Sequence, residues 1–326
     1  MTRFLIRRTL LAVLALFCIS VTTFLLFFAG PANPAAAMCG DRACPAERLE
    51  RINKSLGLDE PLHEQYVAYM RGIFAGRQVG EIHCPAPCLG VSFRNDEPVT
   101  DIIARGMPVT ASVAIGATVF SVLIGVGLGV VSALRQGRLA DKVSIGITLT
   151  GASLQVFFLG LLVQQVFVYQ LKLIPTPKYH SPAEDFGGWL LGMLLPWVTL
   201  GFLNAAAYAR YVRSELSEVL SEDFIRTARA KGLGQRAVTV RHALRAVLAP
   251  LLTITAIQLG GSLGGYIIAE NVFNMRGIGQ ISIEALADDN LPVIMATVLI
   301  GAVFIVVFNL VCDLLYAAAD PRVRIR

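Results

Sequence analysis

The side chains of this sequence that could carry chemistry are few and dispersed. Its four histidines, His63, His83, His180 and His242, form no His-Glu-x-x-His pair of the kind that holds a catalytic zinc. Gly260-Gly-Ser-Leu-Gly264 fits the Gly-x-Ser-x-Gly string of a nucleophile elbow. That elbow needs a strand-to-helix turn, whereas this match lies inside a long apolar stretch with no histidine near it. No Gly-x4-Gly-Lys-Ser/Thr loop is present to cradle nucleotide phosphates. Four of the six cysteines stand as two close pairs, Cys39/Cys44 and Cys84/Cys88. On an oxidising side of a membrane they would form disulfides in one of three connectivities; with His83 they could instead ligate zinc. No other metal-ligand set stands out. The apolar stretches hold amides rather than charges: Gln155, Gln164, Gln165, Asn204, Gln258 and Asn309. An amide pairs with backbone and water without net charge, which suits a route for a peptide-like solute and equally suits a hydrogen bond between helices. Asn204, Gln258 and Ser262 are the candidates for a translocation path.

The elements that must position these residues follow from composition. The chain has 326 residues, 55% hydrophobic and 16% charged, with mean hydropathy +0.63. A soluble domain carries roughly 25% charged residues, so this chain reads as a membrane protein. Six stretches lack Asp, Glu, Lys and Arg for at least 22 residues: Thr9–Gly30, Val109–Leu134, Val143–Leu171, Gly187–Ala209, Ala246–Ala269 and Leu291–Cys312. Each exceeds the roughly 20 helical residues that cross a bilayer, and none alternates like a barrel strand. The expected fold is all-α and polytopic, with six transmembrane helices. The absence of a charge near the centre of any span argues against an ion-coupled carrier.

Lys and Arg set the orientation. With a cytoplasmic N-terminus, the inside segments hold 17 of the 28 basic residues and 7 of the 23 acidic ones. That obeys the positive-inside rule and places both termini in the cytoplasm. The basic balance therefore reflects topology rather than nucleic-acid binding. Arg3, Arg7 and Arg8 resemble the start of a secretory signal, but the apolar run after them is longer than the ~7–15 residues of such a signal, so helix 1 is expected to stay as an anchor. Three regions result: a first transmembrane helix at 1–30, an extracytoplasmic segment at 31–107 with the four cysteines, and a five-helix transport core at 108–326 with a cytoplasmic loop at 210–246. Within the outer segment Pro61–Gly76 reads as an amphipathic helix, its apolar face formed by Leu62, Tyr66, Tyr69, Met70, Ile73 and Phe74. That helix serves as a cap on the spanning helices, as a docking surface for an external partner, or as both. Gly125/Gly129 on the second span, and Gly260/Gly264 with Gly261/Gly265 on the fifth, have the four-residue spacing that lets helix backbones approach.

The loop before the fifth span is the most distinctive segment. It reads as a short helix over Asp223–Lys231 with Ser221 as its N-cap, stopped by Gly232 and Gly234, then a second helix from Gln235 that enters the membrane at Pro250. The run Arg226, Thr227, Ala228, Arg229, Ala230, Lys231, Gly232, Leu233, followed by Arg241-His-Ala-Leu-Arg245, resembles the cytoplasmic loop of permease subunits in ABC importers of dipeptides and oligopeptides, the B-type membrane subunit. Other stretches agree in order: Pro98-Val99 through Pro108-Val-Thr110, Leu171-Lys-Leu-Ile-Pro175, Glu270-Asn-Val-Phe273 with Gly277-Ile-Gly279, Asn309-Leu-Val-Cys-Asp313, and Asp320-Pro-Arg322. Arg226 stands where the broader importer family has Glu, and Met275-Arg276 replaces its common Trp-Pro. The resemblance implies a multi-pass subunit of a bacterial inner (plasma) membrane that pairs with a homologous second permease. It also implies two ATP-binding subunits, which bring ATP and Mg, and an external substrate-binding protein; the chain itself would carry no cofactor and catalyse nothing. Apart from membrane lipid no other partner is implied. Residues 226–234, ending at Gly234, would couple the chain to the ATPases. Dipeptides or oligopeptides are the expected cargo; the same architecture also imports glutathione, nickel chelates and other small solutes.

Overall fold

The computed structural model describes residues 2–28, 45–47, 49–50, 53, 58–79, 82–92 and 94–319. Cys39 and Cys44 lie outside the described residues. Contacts divide the chain into two compact units, one formed by 1–111, 261–271 and 276–307, the other by 112–260, 272–275 and 308–326.

The first unit opens with helix α1 (Thr2–Phe28). Helix α2 (Leu62–Ala75) follows, then the two-stranded ladders β1 (Arg77–Val79) with β2 (Ile82–Cys84) and β3 (Val91–Ser92) with β4 (Glu97–Pro98). α2 lays Tyr66, Tyr69, Met70 and Ile73 against Phe24, Phe27 and Phe28 of α1 and against Met295. The Tyr66 hydroxyl meets Ser20 Oγ at 2.7 Å, giving the polar tip of the ring a partner. Two members of the expected apolar face turn outward instead: Phe74 is 78% exposed and Leu62 41%. The buried positions of α2 are Gln65, Tyr69 and Gly72, and at about 100° per residue Phe74 falls on the opposite side of the helix from all three. Beside β1, the Arg77 guanidinium lies 5.8 Å from the centre of the Tyr69 ring, and burial pushes the Tyr69 hydroxyl up to about 12. Cys84 and Cys88 are joined at 2.08 Å, so neither sulfur is left as a thiolate ligand for a metal.

Helix α3 runs from Val99 to Leu134, starting before the expected segment boundary at 107/108. α4 (Leu139–Ser153) and α5 (Val156–Gln164) come next, α5 continuing as a π-helical turn over Gln165–Gln170. α6 spans Phe186–Val219, α7 Asp223–Ala230 and α8 Gln235–Ala237; a second π-helical turn, Val238–Ala243, leads into α9 (Leu244–Leu263). α10 (Ile267–Val272), α11 (Ile278–Ala287) and α12 (Leu291–Ala319) follow.

Among the described residues, four helices are long and apolar enough to cross a bilayer: Ile6–Phe28, Val99–Leu134, Phe186–Val219 and Leu291–Val311. Two bent pairs bring the number to six when each pair is one span. The third expected span is one of these: Leu139–Gly151 and Val156–Gln170 meet at 100°. Leu154 and Gln155 take extended ψ values of 140° and 144°, which stop the helix. The fifth also departs from an unbroken Ala246–Ala269. It is bent by 50° beside Pro250, whose ring cannot sit in a straight helix, and it stops at Leu263. Gly264 and Gly265 therefore break the helix rather than extend it, Gly265 with φ +118°, while Gly261 faces open space. Gly125 and Gly129 do bring two helices together: a Cβ on either would lie within 3 Å of Tyr208 or Val212 of α6.

Candidate functional site

The loop between α6 and α9 is a built knob rather than a slack tether. Ile225 (0% exposed) and Ala228, three residues apart on α7, turn inward onto Val212, Leu216, Val238, Ala243, Val247 and Leu251. Burying an Ile side chain gives about 1.5–3 kcal/mol, enough to hold so short a helix in place. The C-terminus of α7 closes by a paired motif: Gly232 N–H donates to the Arg229 carbonyl at 2.9 Å, and Leu233 N–H to that of Ala228 at 3.3 Å. The closing residue must be left-handed, and Gly232 has φ +81°. At the N-terminus the cap is Glu222, not the expected Ser221, and it makes no side-chain capping bond. The Ser221 hydroxyl instead donates to the Glu218 carbonyl at 2.6 Å.

With two residues anchoring it, α7 presents the others to solvent. Arg226, Thr227, Arg229, Ala230, Lys231, Gly232, Leu233 and Gly234 are exposed, as are Phe224 (48%) and Leu233 (42%), two apolar tips on a basic surface. Arg226 Nη1 lies 3.3 Å from Asp223 Oδ1, an exposed pair within one turn, and Thr227 Oγ1 donates to the Asp223 carbonyl at 2.9 Å. Next to the knob, Phe224, Arg241, His242 and Arg245 line a depression of about 410 Å³. The arrangement is a cationic surface with apolar contact points, held by its buried residues on α6 and α9.

Comparison with known proteins agrees with this architecture. Residues 125–325 match the family described as "Binding-protein-dependent transport system inner membrane component", and residues 1–114 match the N-terminal region of such membrane components. The chain is 34% identical, over 99% of its length and all of the relative's, to the dipeptide transport system permease protein of Alkalihalophilus pseudofirmus. It is 35% identical, over 99% of both chains, to the glutathione transport system permease protein of Escherichia coli K12. The chain belongs to this permease family. It is the permease subunit of an ABC importer and an integral protein of the bacterial inner membrane.

The permease holds a second arrangement, which no sequence feature singled out as a site. Glu270 of α10 is fully buried. Its Oε1 accepts from Thr110 Oγ1 at 2.8 Å and from Tyr266 N–H at 3.3 Å; its Oε2 accepts from Gly279 N–H at 2.8 Å and Gln280 N–H at 3.1 Å. Thr110 Oγ1 in turn accepts from Ile278 N–H at 2.8 Å. The carboxylate and hydroxyl thus satisfy three of the free N–H groups at the start of α11, where the helix end favours negative charge. Desolvation pushes the Glu270 carboxyl above its ordinary range, and the four donors pull it partway back. A Cβ on Gly277 would run into Glu270 Oε2, and one on Gly279 would lie 2.7 Å from the backbone of Ile267. Glu270 and the Gly-Ile-Gly string are therefore one device, an acidic clamp with two glycines that make room for it.

Of the amides, Gln164 Nε2 donates to the Val272 carbonyl at 3.0 Å, a bond between elements. Asn204 and Gln258 are half-buried in α6 and α9, and Ser262 is buried near the end of α9. On the opposite flank of α6, Arg213 grips the buried Asp141 through Nε at 3.0 Å and Nη2 at 3.1 Å. Sequence reading passed over that pair because the two residues lie 72 positions apart.

Proposed function

We propose that this permease forms half of the translocation pathway for short peptides and that residues 223–234 are its handle for a cytoplasmic ATPase. A homologous second permease supplies the other half. Two ATP-binding subunits hydrolyse ATP with Mg, and an external binding protein delivers cargo to the side that carries 31–107. Both termini and the loop at 210–246 face the cytoplasm. The single observation that carries the reading is the anchored knob: Ile225 and Ala228 are buried while Phe224, Leu233 and the basic residues between them are exposed. Such a surface suits a groove with an apolar floor and acidic rim, and its rigid seat on α6 and α9 lets displacement there reorient the helices that carry Asn204 and Gln258. ATP and loaded binding protein would each favour one orientation by contacts that differ between states.

Reconstitution of the complete transporter in liposomes tests this. Gly232→Asp forces a side chain into a left-handed position, costing about 1–2 kcal/mol at the knob's closure. The variant should insert and assemble, hydrolyse ATP, and take up labelled dipeptide poorly. Unimpaired uptake would remove the coupling assignment. The relatives named for glutathione transport make that tripeptide the second cargo to test. Competition between labelled glutathione and dipeptides for uptake assigns the substrate.

A further inference from the structure

The segment that carries the chain from the handle into α9 has a charged face outside residues 223–234. No acidic residue occurs between Asp223 and Glu270, while Arg236, Arg241 and Arg245 follow one another toward the membrane. In an unbroken α-helix Arg236 and Arg241 would stand on different faces, because five residues turn through about 500°. The π-helical turn over Val238–Ala243 changes this: its bonds close five residues apart, so residues at that spacing stack. Arg245 then follows Arg241 at the four-residue step of the α-helix. The three arginines accordingly line one open groove of about 930 Å³, together with Ala237, Val240 and Leu248. All six are exposed, and none of the arginines makes an ion pair among the described residues. The apolar side of the groove continues along α9, where Leu252, four residues after Leu248 and past the bend at Pro250, is exposed as well. A cationic stripe thus leads directly into exposed leucines at the end of a span.

We infer that this stripe seats the headgroup of an anionic phospholipid. A basic cluster beside the end of a span attracts acidic lipid, each arginine strengthening retention about fivefold, and guanidinium groups donate to phosphate oxygens. Leu248 and Leu252 lead on toward hydrocarbon, where a lipid has acyl chains to lay against them. A free phosphate ion and a soluble subunit have nothing to place there. Arg241 and Arg245 also wall the depression beside Phe224, so the lipid lies against the base of the handle without occupying it. The two assignments fail separately: uptake by Gly232→Asp decides the handle, and capture of lipid decides the stripe.

The test uses the assembled, delipidated transporter in detergent. Phosphatidylglycerol with a photoactivatable group near the head of one acyl chain, and phosphatidylcholine of the same chains, are titrated separately, and cross-linked peptides are mapped by mass spectrometry. Phosphatidylglycerol should label 236–252 saturably and phosphatidylcholine should not, and the labelling should weaken as salt is added. Arg236→Gln, Arg241→Gln and Arg245→Gln together should lower the apparent affinity on the order of a hundredfold, whereas the three Arg→Lys changes should keep most of it. If the triple variant does not assemble, Arg241→Gln alone decides, with a loss of about fivefold. Equal labelling by both lipids, no labelling of 236–252, or labelling unchanged in the deciding variant would overturn the assignment. Loss of the ATPase subunits from a Gln variant whose labelling is intact would give the stripe to a protein partner instead.

Discussion

Glu270 shows how one buried charge can organise a turn of chain. Its carboxylate serves Thr110, Tyr266, Gly279 and Gln280 at once, so replacing it with an isosteric amide turns an NH₂ toward N–H groups that need an acceptor. Glu270→Gln should cost about 1–3 kcal/mol, read as a lowered midpoint of thermal unfolding in detergent. The same measurement carries a pH signature. Folding raises this carboxyl above its unfolded range, so the folded state holds the proton more tightly. Its contribution is complete below the ordinary carboxylate range and is lost as pH rises through the raised value. The wild-type midpoint should therefore carry a component that falls with pH over that window, and Glu270→Gln should lack it. Retention of the slope in the variant would assign the titration elsewhere. Sequence alone did not show this role: Glu270 sits at the edge of an apolar stretch, where an acid reads as the start of a loop, and its partner Thr110 is 160 residues away. The Gly-Ile-Gly string was visible, but only coordinates show that a carboxylate fills the space those glycines leave.

At the scale of elements, the contrast between Ile225 and Phe224 separates holding the knob from using it. Ile225→Ala removes a fully buried side chain and should destabilise the seat of α7 by about 2–5 kcal/mol, seen as faster amide exchange over 223–234. Phe224→Ala removes an exposed ring and should leave exchange unchanged while weakening capture of the ATPase subunits. The opposite pattern would mean that α7 is held from elsewhere. The knob was largely legible in advance, because glycine after a basic helical run is a strong stop signal and Gly232 takes the required positive φ. The breaks in the membrane helices were not. Ser153-Leu-Gln155 and Gly264-Gly265 carry no charge, so an apolar window runs through them as if the helix continued. In α2 the periodicity gave the correct stripe at 66, 69, 70 and 73 but overextended it to 62 and 74, whose side chains are exposed among the described residues.

For the whole molecule, the charge asymmetry and the knob make a joint topological prediction. A cysteine placed at Leu233, in a chain whose native cysteines outside the Cys84–Cys88 bridge are replaced, should react with a membrane-impermeant maleimide in inside-out vesicles and not in intact cells. Affinity purification of the tagged chain should bring two ATPases and a second permease with it. Labelling from the outside would invert the topology, and a chain that transports alone would remove the partners.

The 100° bend of the third span bears on that dependence on partners. Among the described residues, Gln155 begins α5 without capping it through its side chain, so the N–H groups of the first turn after the bend have no intrahelical acceptor. Hydrocarbon supplies none, and irregular backbone persists at membrane depth only where protein encloses it or water reaches it. Ser153 and Gln155 are exposed on the isolated chain. Left alone in lipid, this corner would be a standing wound in an otherwise oily surface. A neighbouring subunit or a thread of solvent must dress it, which makes solitude, for this polypeptide, an energetically poor condition.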